Sequence, residues 1–202
     1  TPFETAPFEK IKVEHYLPAF EAAMAEHDKE IQAIIDNAEA PTFDNTIAAL
    51  DYSGQTLTKV AGVFYNMMAA NTSEELQKVN EQIGPMMATH SDNVSMNAKL
   101  FEKIKAVYDA KDSQKYTGEQ LALLEKTYKQ FVRSGALLDA EKQAELREVN
   151  AELTKVEAKF DANLLKETKS YQLVIDNQEN LKGLPQGELE KAAVLAKQEG
   201  KE

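Results

Sequence analysis

The sequence predicts an all-α protein: an elongated multi-helix bundle with one long helix near the C-terminal third, one short β-like segment at about 171–176 and a short C-terminal helix. Three observations carry this expectation. Apolar residues recur three and four positions apart through most of the chain, the spacing that lines one face of a helix. Residues suited to capping, Ser, Thr or Asn, stand ahead of several of these stripes, twice with Glu or Gln three residues on. Hydrophobic residues make up 43% of the 202-residue chain, enough to bury a substantial core.

Residues 1–12 hold Pro2 and Pro7 and no regular period, so they read as an extended arm laid on a helical body spanning 13–168. The first helix starts near Val13 and carries Tyr16, Phe20, Met24, His27 or Asp28, Ile31 and Ile35 on its inner face. Pro18 falls in or near its first turn, where a missing N–H is tolerated, and "NAEAPTFDN" ends it. A second helix, capped by Asn45, runs through Phe43, Ile47, Leu50, Gly54, Leu57, Ala61, Phe64 and Met68 as a bundle seam. "ANTSEEL" offers a capping box, Thr72 with Glu75, before Leu76, Val79, Ile83, Met87, His90 and Val94. Asn97 caps a shorter helix carrying Leu100, Ile104 and Val107. Thr117 with Gln120 forms a second box ahead of Leu121, Leu124, Tyr128 and Phe131, and Gly135 in "RSGA" supplies the left-handed residue that closes that helix.

The longest helix, from about Asp139 to Thr168, places Leu146, Val149, Leu153, Val156, Phe160 and Leu164 three and four apart. At 1.5 Å per residue it would reach roughly 45 Å, more than a compact bundle of this mass covers, so part of its apolar stripe is expected to protrude. "SYQLVID" then alternates, with Tyr171, Leu173 and Ile175 facing one way. No second alternating run exists to pair with it, and prolines in the N-terminal arm would interrupt a ladder there. Residues 169–202 therefore read as a strand-turn-helix junction to a missing part of a larger protein, ending in a helix from about Gln186 with Leu189, Ala192, Ala193 and Ala196 on a thin apolar face.

The formal charge of -11, uninterrupted by any basic block, argues against nucleic acid and anionic membrane as partners. The absence of cysteine excludes disulfides, thiolate metal sites and a cysteine nucleophile, while leaving the compartment open between cytoplasm and periplasm. No apolar run approaches the roughly 20 residues of a membrane span. The opening "TPFETAPFEK" has neither an initiator Met nor a signal-like apolar region, so the start reads as processed or trimmed.

Few residues invite chemistry. The three histidines, His15, His27 and His90, do not form HExxH, in which two His four apart on one helical face hold zinc and the Glu between them serves as base. His27 and His90 lie on or beside apolar stripes and read as hydrogen-bonded structural histidines; His15, in a first turn, is more open. Carboxylate pairs such as Glu74 with Glu75 and Glu145 with Glu148 read as solvated helix surface. Ser53 and Ser134 precede glycine but lack the G-x-S-x-G context of a nucleophile, and the eight glycines are scattered singly rather than gathered in a phosphate loop. The doublets Met67–Met68 and Met86–Met87 read as filling for an irregular core before they read as a binding groove. Phe64, Tyr65, Tyr128 and Phe131, at helical spacing, likewise read as core.

The order of the segments is more informative than any one of them. "APFEKIKVEHYLPAFEAAM", "PTFDNTIAALDYSG", "HSDN", "LEKTYKQFVRSGALL" and "NLLKETKSYQLVIDNQENLKGLP" together resemble, over essentially the whole chain, the N-terminal region of the thimet oligopeptidase family of zinc metallopeptidases, nearest its peptidyl-dipeptidase (dipeptidyl carboxypeptidase) branch. The resemblance implies a largely helical enzyme, much longer than this chain, in which two helical halves enclose a channel. It also implies zinc in that full-length parent, held by HExxH and a later Glu far toward the C-terminus, polarising the scissile carbonyl and activating water. This sequence ends at Glu202 before any such motif, so no catalytic, cofactor-binding or metal residue is carried onto it.

Two functional readings follow. In the favoured one the chain is a channel-wall fragment of a zinc-dependent peptidyl-dipeptidase or oligopeptidase acting on short peptides, inert alone, whose partner is the C-terminal catalytic part of the same polypeptide. In the alternative it is a self-contained, non-enzymatic helical interaction module that presents the exposed end of the long helix and the Met doublets. Either way, self-association of the chain through uncovered apolar surface is expected.

Overall fold

The computed structural model describes residues 5–201, and these are helical apart from short connections, with no β-ladder among them. The chain divides into two compact units, Thr1–Ala158 and Lys159–Glu202.

In the first unit a 3-10 turn over Val13–His15 leads into α1 (Tyr16–Asp36), so the regular helix starts three residues after the expected position, and Pro18 sits in its first turn. The arm is not wholly extended: Phe8–Lys10 make one 3-10 turn. Pro2 lies outside the described residues.

The expected second helix is two pieces. A π-type turn over Phe43–Ala48 runs into α2 (Ala49–Tyr52); the chain then breaks at Ser53 and Gly54 before α3 (Gln55–Ala70). The cap is Thr42, whose Oγ1 accepts from the Asn45 N–H at 3.1 Å while Asn45 Oδ1 accepts from the Thr42 N–H at 2.8 Å. Asn45 is thus the reciprocal partner of a capping box rather than the cap. The break comes from Gly54, whose φ of +70° is left-handed and ends the α geometry.

A second correction concerns α4 (Glu74–Ser95). Its cap is Ser73, accepting from the Leu76 N–H at 3.2 Å, whereas the Thr72 hydroxyl points back at Met68 Sδ, 3.8 Å away. Pro85 sits inside α4 and removes one ladder donor. The other starts stand where the sequence puts them: Asn97 Oδ1 caps α5 (Ala98–Asp109) through the Leu100 N–H at 3.0 Å, and Thr117 with Gln120 makes a complete box for α6 (Gly118–Arg133). Gly135, at φ +94°, closes α6. Thr117→Ala is expected to cost about 1 kcal/mol, the ordinary worth of an N-cap, read as a lowered urea midpoint with an unchanged slope.

Burial organises this unit around two apolar clusters. Ile47, Leu100, Phe101, Ile104, Val107, Leu124 and Phe131 form one with Ile31 and Ile34 from the C-terminal half of α1. Leu57, Phe64, Leu76 and Ile83 form the other with Tyr16, Phe20, Ala23 and Met24 from its N-terminal half. α1 therefore belongs to both, and His27 falls between its two contributions.

α7 (Ala140–Ser170) starts under an Asp139 cap, Oδ1 accepting from the Lys142 N–H at 2.8 Å. Its first turns dock on α4: Asn150 Nδ2 donates to Asp92 Oδ1 at 2.9 Å and Arg147 Nη1 to Asn93 Oδ1 at 3.0 Å. Along the stripe Val149, Leu153 and Val156 are more than half exposed, at 61%, 51% and 53%.

The second unit holds the last turns of α7, where Phe160 and Leu164 are exposed, and α8 (Gln186–Gln198), with a 3-10 turn over Gln178–Leu181 between them. The alternating run does not become a sheet strand. Residues 171–177 are irregular and exposed, because a strand needs a ladder partner and none lies among the described residues. Asn177 Oδ1 caps the 3-10 turn through the Glu179 N–H at 3.0 Å, and the Lys201 ammonium reaches Gln172 Oε1.

Candidate functional site

A polar cluster spanning three helical segments of the first unit lies where the apolar clusters meet. α1 contributes His27, Asp28 and Glu30, the α2–α3 corner contributes Ser53 and Gly54, and α4 contributes His90. His27 Nδ1 and His90 Nε2 stand 2.8 Å apart. The other nitrogen of each ring is also engaged, His27 Nε2 with Ser53 Oγ at 3.1 Å and His90 Nδ1 with Asp28 Oδ1 at 3.3 Å. Ser53 Oγ–H donates in turn to the Leu50 carbonyl at 2.7 Å, which helps close the end of α2. The Gly54 N–H donates to Glu30 Oε2 at 2.7 Å.

Gly54 is required here twice over. Its left-handed φ disfavours any side chain, and a Cβ at that position would stand 3.2 Å from the His27 ring. The corner can thus lie close against the imidazole. Burial lowers the His27 pKa most, the neighbouring His90 lowers it further, and Glu30 and Asp28 oppose the shift. Beside the corner, a groove of about 600 Å³ is lined by Leu57, Ala61, Tyr65 and Met87, with His27 at its edge. Burial raises the Tyr65 hydroxyl above the usual phenol range.

The remaining candidates disperse. His15 Nδ1 accepts from the Lys12 N–H at 3.2 Å and serves the turn before α1. Met67, Met68, Met86 and Met87 all pack on the second apolar cluster, matching the core reading. Phe64 is fully buried, Tyr128 stacks on Tyr108 at 3.9 Å, and Phe131 is core, while Tyr65 is 43% exposed at the groove. Glu74, Glu75, Glu145 and Glu148 are exposed, and Ser134 ends α6. Sequence reasoning treated His27, His90 and Ser53 separately; their convergence was missed because 63 and 26 residues separate His27 from its partners.

The donor set does not fit zinc. Two imidazoles are spent on each other and on their outer partners, and no group of three or more His, Asp or Glu positioned for a metal exists among the described residues. No helix among them is long and apolar enough to cross a membrane.

Comparison with known proteins explains the architecture. The family model "Neurolysin/Thimet oligopeptidase, N-terminal domain" matches residues 20–143. The chain belongs to the neurolysin/thimet oligopeptidase family. Within that family it is 35% identical to the dipeptidyl carboxypeptidase of Escherichia coli (strain K12) over 199 residues, 98% of this chain and 29% of that protein. The dipeptidyl carboxypeptidase of Salmonella typhimurium is also 35% identical, over 100% of this chain and 30% of its own length. Oligopeptidase A of Haemophilus influenzae is 26% identical over 96% of this chain and 28% of its own. The chain thus spans about three tenths of the length of these relatives. Its helices α1 to α6, with both apolar clusters and the His27–His90 contact, lie wholly or largely within the family's N-terminal domain.

Proposed function

We propose that this chain is the N-terminal, channel-wall part of a zinc-dependent peptidyl-dipeptidase or oligopeptidase that hydrolyses short peptides, and that it is catalytically inert alone. One observation carries the reading: an alignment covering 98% of this chain occupies only 29% of a dipeptidyl carboxypeptidase. The zinc and its water belong, on this reading, to the C-terminal part of the same polypeptide, where the metal would polarise the scissile carbonyl. The role of the helical wall is exclusion. Packed helices do not admit a folded protein, so only extended peptides would reach the metal.

The division of labour proposed is an arm over 1–12, a helical body over 13–168 and a junction over 169–202. Exposed Leu173 and Ile175, at 72% and 39%, support the junction, since the remainder of the polypeptide would cover them.

The test is direct. The 202-residue chain, supplied with zinc, is expected to release no dipeptide from a blocked peptide substrate, while the reading frame continued through an HExxH helix is expected to do so and to stop on chelation. Chelator-sensitive dipeptide release by the 202-residue chain would overturn the inert part. A frame that stops near Glu202 would leave the interaction-module reading in its place.

A further inference from the structure

We propose that the His27–His90 pair is a one-proton latch that holds the Ser53–Gly54 corner against α1, and that a second proton on the pair releases that corner. The hydrogen bonds fix where each proton sits. The Leu50 carbonyl only accepts, so the Ser53 hydroxyl donates to it, and Ser53 Oγ takes the Nε2–H of His27. A neutral imidazole has one N–H, so His27 Nδ1 is left as a lone pair and accepts from His90 Nε2–H. Asp28 Oδ1 stands 3.3 Å from the remaining His90 nitrogen, Nδ1, and makes an ion pair with it only when that nitrogen also carries hydrogen. One added proton finds room on His90 Nδ1, beside Asp28, and leaves every hydrogen bond from His90 through to Leu50 a donor meeting an acceptor.

A further proton has one place to go, His27 Nδ1. There it sets N–H against N–H across a gap of 2.8 Å and two positive rings against each other at a ring separation of 5.0 Å. The charged and titratable groups facing the pair are few. Among the described residues, Asp28 and Glu30 come from α1 and His90 from α4, and the corner offers the Ser53 hydroxyl and the Gly54 N–H. Glu26 is turned to the Thr56 hydroxyl at 3.1 Å. Glu30 Oε2 is already engaged by Gly54, so the nearest carboxylate that would favour a charged His27 is one that also holds the corner.

The sign follows from the lowered His27 pKa. The unfolded chain takes the proton near the ordinary imidazole value of about 6.5, the folded corner only below it. The contribution of the latch is complete above that value and is lost as the pH falls through the depressed one. What moves is local: the left-handed Gly54 swings the start of α3 away from α1, and the groove beside His27 widens. Since the latch lies in the wall of the channel read under Proposed function, its opening would alter that wall, but the latch itself stands whether or not that reading does.

The experiment follows the imidazole nitrogens of the full 202-residue chain by NMR between pH 8 and pH 4, together with amide hydrogen exchange at Gly54 and Ile104 corrected for intrinsic rates. The expected result is two proton-binding steps more than about one pH unit apart, as strongly coupled groups titrate. Exchange at Gly54 should rise at least tenfold across the second step, with Ile104 still protected. His27→Gln keeps a donor for Ser53 and an acceptor for His90 without titrating, so its Gly54 protection should stay flat. Overlapping steps, or no change at Gly54, would overturn the latch. So would Gly54 and Ile104 opening together, or His27→Gln behaving like the parent chain.

Discussion

Phe64→Ala is expected to bring the protein close to unfolding. Phe64 is fully buried, and its ring meets Tyr16, Phe20 and Tyr65 edge-on at centroid distances of 5.0, 5.5 and 5.2 Å. Truncation removes the transfer free energy of the ring and leaves a cavity that three aromatic neighbours, staggered along α1 and α3, cannot collapse into together. Substitutions of this kind cost about 3–5 kcal/mol, against a total stability of about 5–15 kcal/mol for a domain. Urea denaturation followed by circular dichroism should show the midpoint fall steeply at constant slope. Phe64→Leu, which keeps most of the volume, should recover more than half the loss. A deficit below about 1 kcal/mol for the alanine variant would mean that this cluster is not the packed core described here.

The second large effect concerns association. Val149, Leu153 and Val156 lie along α7 of the first unit at 61%, 51% and 53% exposure, an apolar strip more than half open to water. Such a strip drives association in water in proportion to the area it can hide. Sedimentation of the chain at increasing concentration should show its average mass rise, and Leu153→Glu should weaken that association at least tenfold by forcing a carboxylate into the contact. Because Leu153 is half exposed in the single chain, the same substitution should leave thermal stability nearly unchanged. A parent chain that is monomeric at every concentration would refute the expectation.

How much of this was legible in the sequence depended on how local the cause was. Asn97, the Thr117–Gln120 box and Gly135 act within one turn of themselves, and each does in the fold what its sequence context implies. At Thr42 and Ser73 the cap moved by one to three residues because adjacent side chains compete for the same free N–H groups, and the direction of the entering chain chooses between them. In the sequence Gly54 reads as a small residue on a seam. Its conformation is set by what α1 holds against it, His27 and Glu30, neither visible from the corner's own neighbours. The His27–His90 contact is the extreme case, joining positions 63 residues apart that share no local signature. Family membership was readable for the opposite reason, since many weak helical segments in a fixed order add up over the entire length.

α1 lends buried side chains to both apolar clusters, Tyr16 to Met24 at one end and Ile31 and Ile34 at the other. Neither cluster can melt without stripping half of this helix, and the stripped half would pull on the rest. The first unit should therefore behave as one thermodynamic body with a single sharp transition, the α1 amides exchanging only when everything else does. A cut in the linker at 37–41 after α1 should be far less damaging than a helix-breaking proline at Ala25, although both leave the two sets of apolar residues intact.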